Sequence, residues 1–187
     1  GFGADLGAEK FLDIKCPKAG IAPDAIVLVA TVRALKYNGG VAKEELKEPD
    51  AEALRRGICN LEAHIDNLKK YNVPLVVAIN HFYADTDEEI EIIKQTAAQK
   101  GVKAVVCKGF EKGGEGALEL AKEVAELADS GKSGYKPLYD AKALTIKQKI
   151  ETVAKEIYGA KDVNFDAAAL KTIKEAEELG FGDYHLC

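Results

Sequence analysis

Ala25-Ile26-Val27-Leu28-Val29-Ala30-Thr31-Val32 is an unbroken apolar run rich in β-branched residues, and Pro74-Leu75-Val76-Val77-Ala78-Ile79-Asn80 is a second. Val102 to Cys107 is a shorter third. A strand with one wet face alternates polar and apolar residues. Runs that do not alternate predict strands covered on both faces, as in parallel sheets. Helical periodicity separates the runs. From Asp50 onward, Leu54, Ile58, Leu61, Ile65 and Leu68 recur at steps of four and three, which is one helix face. Asp85-Thr86-Asp87-Glu88-Glu89 is an acidic helix start, with Ile90, Ile93 and Ala97 on one face behind it and Gly101 at its end. Gly116 to Asp129 carries Leu120, Val124 and Leu127 at similar steps. The order β-α-β-α-β-α predicts an α/β fold, with a short parallel sheet, right-handed crossovers and helices on its faces.

Gly131-Lys132-Ser133-Gly134 breaks this pattern and reads as a linker. Beyond it, Ile146, Ile150, Val153 and Ile157 share a face that stops at Gly159. Asp166 caps a further stretch in which Leu170 and Ile173 share a face, ending at Gly180. The expected division is therefore an α/β core over 1–130 that carries the functional loops, then a linker and helical segment over 131–187. Asp5 to Lys18 reads as a helix broken at Pro17.

The chain has 187 residues, with Lys+Arg 26 against Asp+Glu 31 and a net charge of −5. That balance argues against a nucleic-acid partner or an anionic membrane surface, either of which favours a basic face. No apolar run approaches the roughly 20 residues that span a bilayer. Cys16, Cys59, Cys107 and Cys187 are scattered, with no CxxC pair and no zinc-ribbon spacing. They read as reduced thiols of a cytoplasmic protein, and no metal site is expected from them. The sequence contains no methionine, so it reads as an internal piece of a longer protein.

In open parallel sheets, ligands bind beyond the carboxyl ends of the strands. Three polar or glycine-rich stretches follow the three apolar runs: Thr31 to Gly40, Asn80 to Thr86, and Lys108 to Gly116. Their convergence at one sheet edge is the strongest argument for a site. Phe82 and Phe110 fall just past strand ends, where a pair of facing rings would hold a flat ligand between them, or where each would simply plug its loop onto the sheet. Lys112-Gly113-Gly114-Glu115-Gly116 reads as a helix opening at which backbone N–H groups meet an anion, and equally as a flexible turn. The phosphate-loop pattern GxxxxGK[ST] occurs nowhere in the chain. Arg33 and Lys36 follow a strand and are placed to hold a phosphate or carboxylate. His81 is the one histidine positioned in a site loop, and no Ser-His or Cys-His pair stands out.

At these stretches the sequence resembles the formate–tetrahydrofolate ligase family, essentially end to end. The resemblance rests on Gly1-Phe2-Gly3-Ala4-Asp5-Leu6-Gly7-Ala8-Glu9-Lys10-Phe11, on Val29-Ala30-Thr31-Val32-Arg33-Ala34-Leu35-Lys36 with Gly39-Gly40-Val41, and on Val77-Ala78-Ile79-Asn80 with Phe82, Asp85 and Thr86. Lys112-Gly113-Gly114-Glu115-Gly116, Glu156-Ile157-Tyr158-Gly159-Ala160 and Leu179-Gly180-Phe181-Gly182 complete it. The resemblance implies part of a P-loop NTPase-like fold in a cytoplasmic enzyme, usually a homotetramer in bacteria. It implies ATP with Mg²⁺, formate and tetrahydrofolate as the small molecules handled, through a formyl phosphate that formylates N10 of the folate. It places Phe82 and Phe110 as walls of the folate pocket, with Phe2, Asn80 and Asp85 beside them and Lys112 to Gly116 at the nucleotide rim. Arg33 and Lys36 become candidates for the charge-bearing catalytic end. Two positions depart from the family pattern: Phe110 stands where a Trp is usual, and His81 where Arg or Lys is common. The family's phosphate-binding loop lies upstream of the part represented here, so the chain is expected to lack ligase turnover without the remainder of the ligase. The alternatives are a non-catalytic α/β module that binds a nucleotide or flat ligand, Asn80 to Asp85 being weakly similar to a GTPase base-recognition loop, and an assembly piece that acts through its helical tail.

Overall fold

The protein is described by a computed structural model covering residues 3–186. It divides into two compact units, one spanning residues 23–134 and the other joining residues 3–22 to residues 135–186. Residues 3–22 thus share a unit with the helical end of the chain and not with the sheet.

The larger unit is α/β. Strands β1 (Ile26–Ala30), β2 (Leu75–Asn80) and β3 (Lys103–Cys107) form one parallel sheet in that order. The register pairs Ala30 with Ile79 and Asn80 with Cys107, so the three strands finish together at one edge. Central β2 is buried from Leu75 to Ile79, as its unbroken apolar run predicts. β1 departs from that expectation. Leu28 and Ala30 are buried, whereas Val27 and Val29 are 39% and 61% exposed. An apolar side chain is tolerated at a surface, so a run like this one does not guarantee a cover on both faces.

The first apolar run also ends earlier than its composition implies. Thr31 Oγ1 accepts from the Ala34 amide at 3.1 Å and starts helix α3 (Val32–Asn38), so the stretch expected as a polar loop is helical. Helices α4 (Ala51–Gly57) and α5 (Cys59–Lys69) follow, with Asp50 capping the Ala53 amide at 2.8 Å. Leu54, Leu61, Ile65 and Leu68 are buried as their spacing predicts. α3 and α4 cross at two glycines. A Cβ on Gly57 would lie 1.9 Å from the Leu35 carbonyl oxygen, and one on Gly39 1.8 Å from that of Ala53. Helix α6 (Asp87–Gln99) opens with a capping box between Thr86 and Glu89. Helices α7 (Gly109–Gly116) and α8 (Leu118–Asp129) follow β3. The glycine stretch therefore closes α7 instead of opening α8, and it bends there because Gly113 adopts φ 57°, ψ −140°.

In the second unit, α1 (Leu6–Glu9) runs through a π-helical turn at Lys10–Lys15 into α2 (Cys16–Ala19). Pro17 does not break this helix. In the wider register, the Cys16 amide bonds the Phe11 carbonyl five residues back. The next amide would be that of Pro17, which has no hydrogen, and the Leu12 carbonyl left over accepts the Tyr135 hydroxyl instead. Asp13 Oδ1 accepts from the Leu138 amide at 2.7 Å. Helix α9 (Ile146–Glu156) is boxed by Thr145 and Gln148, and α10 (Ala167–Glu178) is capped by Asp166 on the Ala169 amide at 2.7 Å. Fully buried Lys149 donates Nζ to the carbonyls of Gly182 and Tyr184 at 2.5 and 2.9 Å. Among the described residues no helix is long and apolar enough to cross a membrane.

Candidate functional site

The carboxyl ends of the three strands bring three of the sequence-derived candidates together. Arg33 sits in the first turn of α3, Phe82 two residues beyond β2, and Phe110 at the start of α7 beyond β3. The Arg33 guanidinium carbon lies 4.5 Å from the centre of the Phe82 ring, a cation–π distance. The Phe82 and Phe110 ring centres are 5.6 Å apart and tilted by 48°. The two rings are therefore in mutual contact, without a gap between them. A ring held between two others needs about 7 Å between their centres, twice a contact distance of roughly 3.5 Å. Here the two phenylalanines touch each other and form one continuous, angled wall. Phe110 is 77% exposed, so its outer face is free.

The turn that carries Phe82 is tightly built. The Asp85 amide donates to the Phe82 carbonyl at 2.9 Å, and Asp85 Oδ2 accepts from the Phe82 amide at 2.8 Å. Asp85 thus closes the turn on which the aromatic wall stands. Asn80 ends β2 opposite Cys107, and the His81 amide extends that pairing to the Cys107 carbonyl at 3.0 Å. Lys112, Gly113, Gly114 and Glu115 are exposed on α7, and the Gly116 carbonyl accepts from the Lys108 amide at 2.9 Å to close that loop. Phe2 lies outside the described residues.

Lys36 is not brought to this edge as a free cation. It is 1% exposed, with Nζ 3.0 Å from Glu89 Oε1 and 2.8 Å from the Glu48 carbonyl. Glu89 is the residue that the sequence reading missed. It is fully buried. Oε1 also accepts from the Asp50 amide at 3.0 Å, while Oε2 takes the amide and hydroxyl of Thr86, each at 2.9 Å. Burial by itself pushes a carboxyl upward. The Thr86 and Asp50 amides, with the Lys36 ammonium and the Thr86 hydroxyl, outweigh it and hold Glu89 below its ordinary range, as a carboxylate. The signal in the sequence was the Thr86-x-x-Glu89 spacing of a capping box.

Two polar atoms near the wall have no hydrogen-bond partner among the described residues: Nε of Arg33 and Nδ1 of His81, both buried. A buried polar atom left unpaired is costly. The described residues contain no group of three or more His, Cys, Asp and Glu able to hold a metal ion.

The edge thus offers an aromatic wall with a guanidinium against Phe82 and an exposed glycine loop after Phe110. These features lie in a chain whose whole length, residues 1–187, matches the family model for formate–tetrahydrofolate ligase. The chain belongs to the formate–tetrahydrofolate ligase family.

Proposed function

We propose that this chain supplies the folate-side surface of a formate–tetrahydrofolate ligase, with Phe82 and Phe110 as the aromatic wall against which tetrahydrofolate lies. The reading rests above all on the Arg33–Phe82–Phe110 assembly at the carboxyl edge of the sheet. In the complete reaction, formate attacks the γ-phosphorus of ATP to give formyl phosphate and ADP. N10 of the folate then attacks the formyl carbon and phosphate leaves. The second step depends on holding the nitrogen against that carbon, an orientation effect that rigid aromatic walls suit. Arg33, whose guanidinium lies against Phe82 at this edge, is the residue placed to meet an oxygen or anionic edge of the ligand. Lys36 has no such role, because its ammonium is committed to Glu89.

Lys112 to Gly116 stays the candidate nucleotide rim, with Gly113 and Gly114 open to approach. The chain lacks the lysine-bearing phosphate loop that ATP chemistry requires. Turnover therefore needs the rest of the ligase. A calorimetric titration of tetrahydrofolate into this chain tests the reading. Saturable binding is expected. A folded chain that takes up no folate, or one that formylates folate with ATP unaided, contradicts it. Binding of a guanine nucleotide without folate would favour a nucleotide module instead.

A further inference from the structure

Two contacts join α3 to the β2–α6 turn. One is the Arg33–Phe82 stack at the site. The other is fully buried: Lys36, one turn after Arg33, bonds Glu89, which in turn grips Thr86 directly behind the Phe82–Asp85 turn. We propose that Lys36 and Glu89 are positioning residues for the site. Their buried ion pair fixes the helix that carries Arg33 against the turn that carries Phe82, and so sets the guanidinium-to-ring geometry that a flat ligand meets.

Four features support this. Glu89 is saturated by acceptances from three segments: Asp50 before α4, Thr86 before α6, and Lys36 on α3. Lys36 adds a fourth tie, to the Glu48 carbonyl. An ion pair with both side chains 1% exposed is a poor source of stability on its own, because desolvation offsets most of the attraction, whereas its directional bonds specify one arrangement. Finally, the two hydrogen bonds that close the Phe82–Asp85 turn, at 2.8 and 2.9 Å, run between Phe82 and Asp85 themselves, and among the described residues none is shown from this turn to α3. Its placement relative to α3 must come from its neighbours, and Thr86–Glu89–Lys36 is the polar route that reaches α3.

The test is hydrogen exchange of individual amides in the full chain, parent against Lys36→Met/Glu89→Gln. The double variant leaves no unpaired buried charge, and Gln keeps one acceptor oxygen in place of the two that serve the Thr86 and Asp50 amides. The amides of Phe82 and Asp85 touch neither mutated side chain. Positioning predicts that their exchange quickens at least tenfold, while Val76 to Ile79 in β2 exchange as in the parent. Unchanged exchange at Phe82 and Asp85 overturns the proposal. Should the double variant not fold, Glu89→Gln alone serves with the same two outcomes.

The ligand reading enters separately, through tetrahydrofolate titrations of the same two proteins. Loss of at least tenfold in affinity with the unfolding midpoint retained is expected. Equal affinity in parent and variant overturns the positioning role. A parent that binds no folate, yet shows the variant-dependent exchange, overturns the folate reading and leaves the positioning role standing.

Discussion

The guanidinium carbon of Arg33 lies 4.5 Å from the centre of the Phe82 ring, joining the first turn beyond β1 to the turn beyond β2. A cation over an aromatic face is worth roughly 0.5–1 kcal/mol when exposed and about 2 when desolvated. Arg33 is half-buried with its Nε unpaired, so the pair falls between these limits.

Phe82→Ala removes both the wall and the seat of Arg33. Tetrahydrofolate affinity should fall at least tenfold, about 1.4 kcal/mol, while binding of ATP to the same chain changes little. Parallel calorimetric titrations with each ligand measure the contrast. Equal folate affinity in the variant refutes the assignment of the wall. Arg33→Lys is a sharper companion, since a point charge without the planar fork keeps the sign and loses the stack. Its folate affinity should lie between those of the parent and Phe82→Ala.

Gly57→Ala tests how the platform beneath Arg33 is held. The new Cβ would lie 1.9 Å from the Leu35 carbonyl oxygen, which is backbone and has little room to yield. Separation of α3 from α4 should lower stability by about 3 kcal/mol in urea unfolding. Gly114→Ala is the control, because nothing lies within 4 Å of its would-be Cβ. A Gly57 variant as stable as the Gly114 variant contradicts the close-crossing account.

The strands, their parallel order and most helix faces were legible because burial leaves a periodic trace in the sequence. Leu54, Leu61, Ile65 and Leu68 show this directly, each buried where its spacing placed it. Lys36 shows what composition hides. A lysine after a strand reads as a free cation, yet it stands four residues beyond Val32, on the same helix face, and both are buried. That face is not visible in the sequence, because a seven-residue helix carries too little periodicity to announce itself. The Glu89 partnership spans fifty-three positions of sequence, and no local pattern encodes such a pair. The angled contact of Phe82 with Phe110 was unreadable for the same reason: sequence placed both rings at one edge and said nothing of their tilt.

Tyr135→Phe examines why Pro17 is tolerated inside a helix. The hydroxyl fills the place of the missing Pro17 amide on the buried Leu12 carbonyl. Its removal leaves that carbonyl without a partner at nearly unchanged packing. A loss of about 1–3 kcal/mol is expected, from thermal or urea unfolding. Pro17→Ala in the Tyr135→Phe background supplies an amide again and should restore part of the loss. A Tyr135→Phe variant as stable as the parent contradicts the substitution of hydroxyl for amide.

Glu9 sets a pH dependence of opposite sign to that of a paired carboxylate. It is fully buried, and neither carboxyl oxygen has a partner among the described residues. Burial first, then the Asp13 charge one turn on, push it up from 4.5 to about 7 against the pull of Lys10. The folded chain therefore keeps a proton that the unfolded chain releases between pH 4.5 and about 7. Where the folded state binds more protons, stability falls as pH rises, by at most about 1.4 kcal/mol per pH unit. The decline belongs to that window and levels off above it. Glu9→Gln keeps the shape and carries no titrating group. It should abolish this component of the slope and be the more stable protein at pH 8, by about 3 kcal/mol at most. Urea unfolding of both proteins at pH 5, 6, 7 and 8 gives the comparison. Parallel stability profiles across that range would mean that Glu9 is ionised in the folded chain.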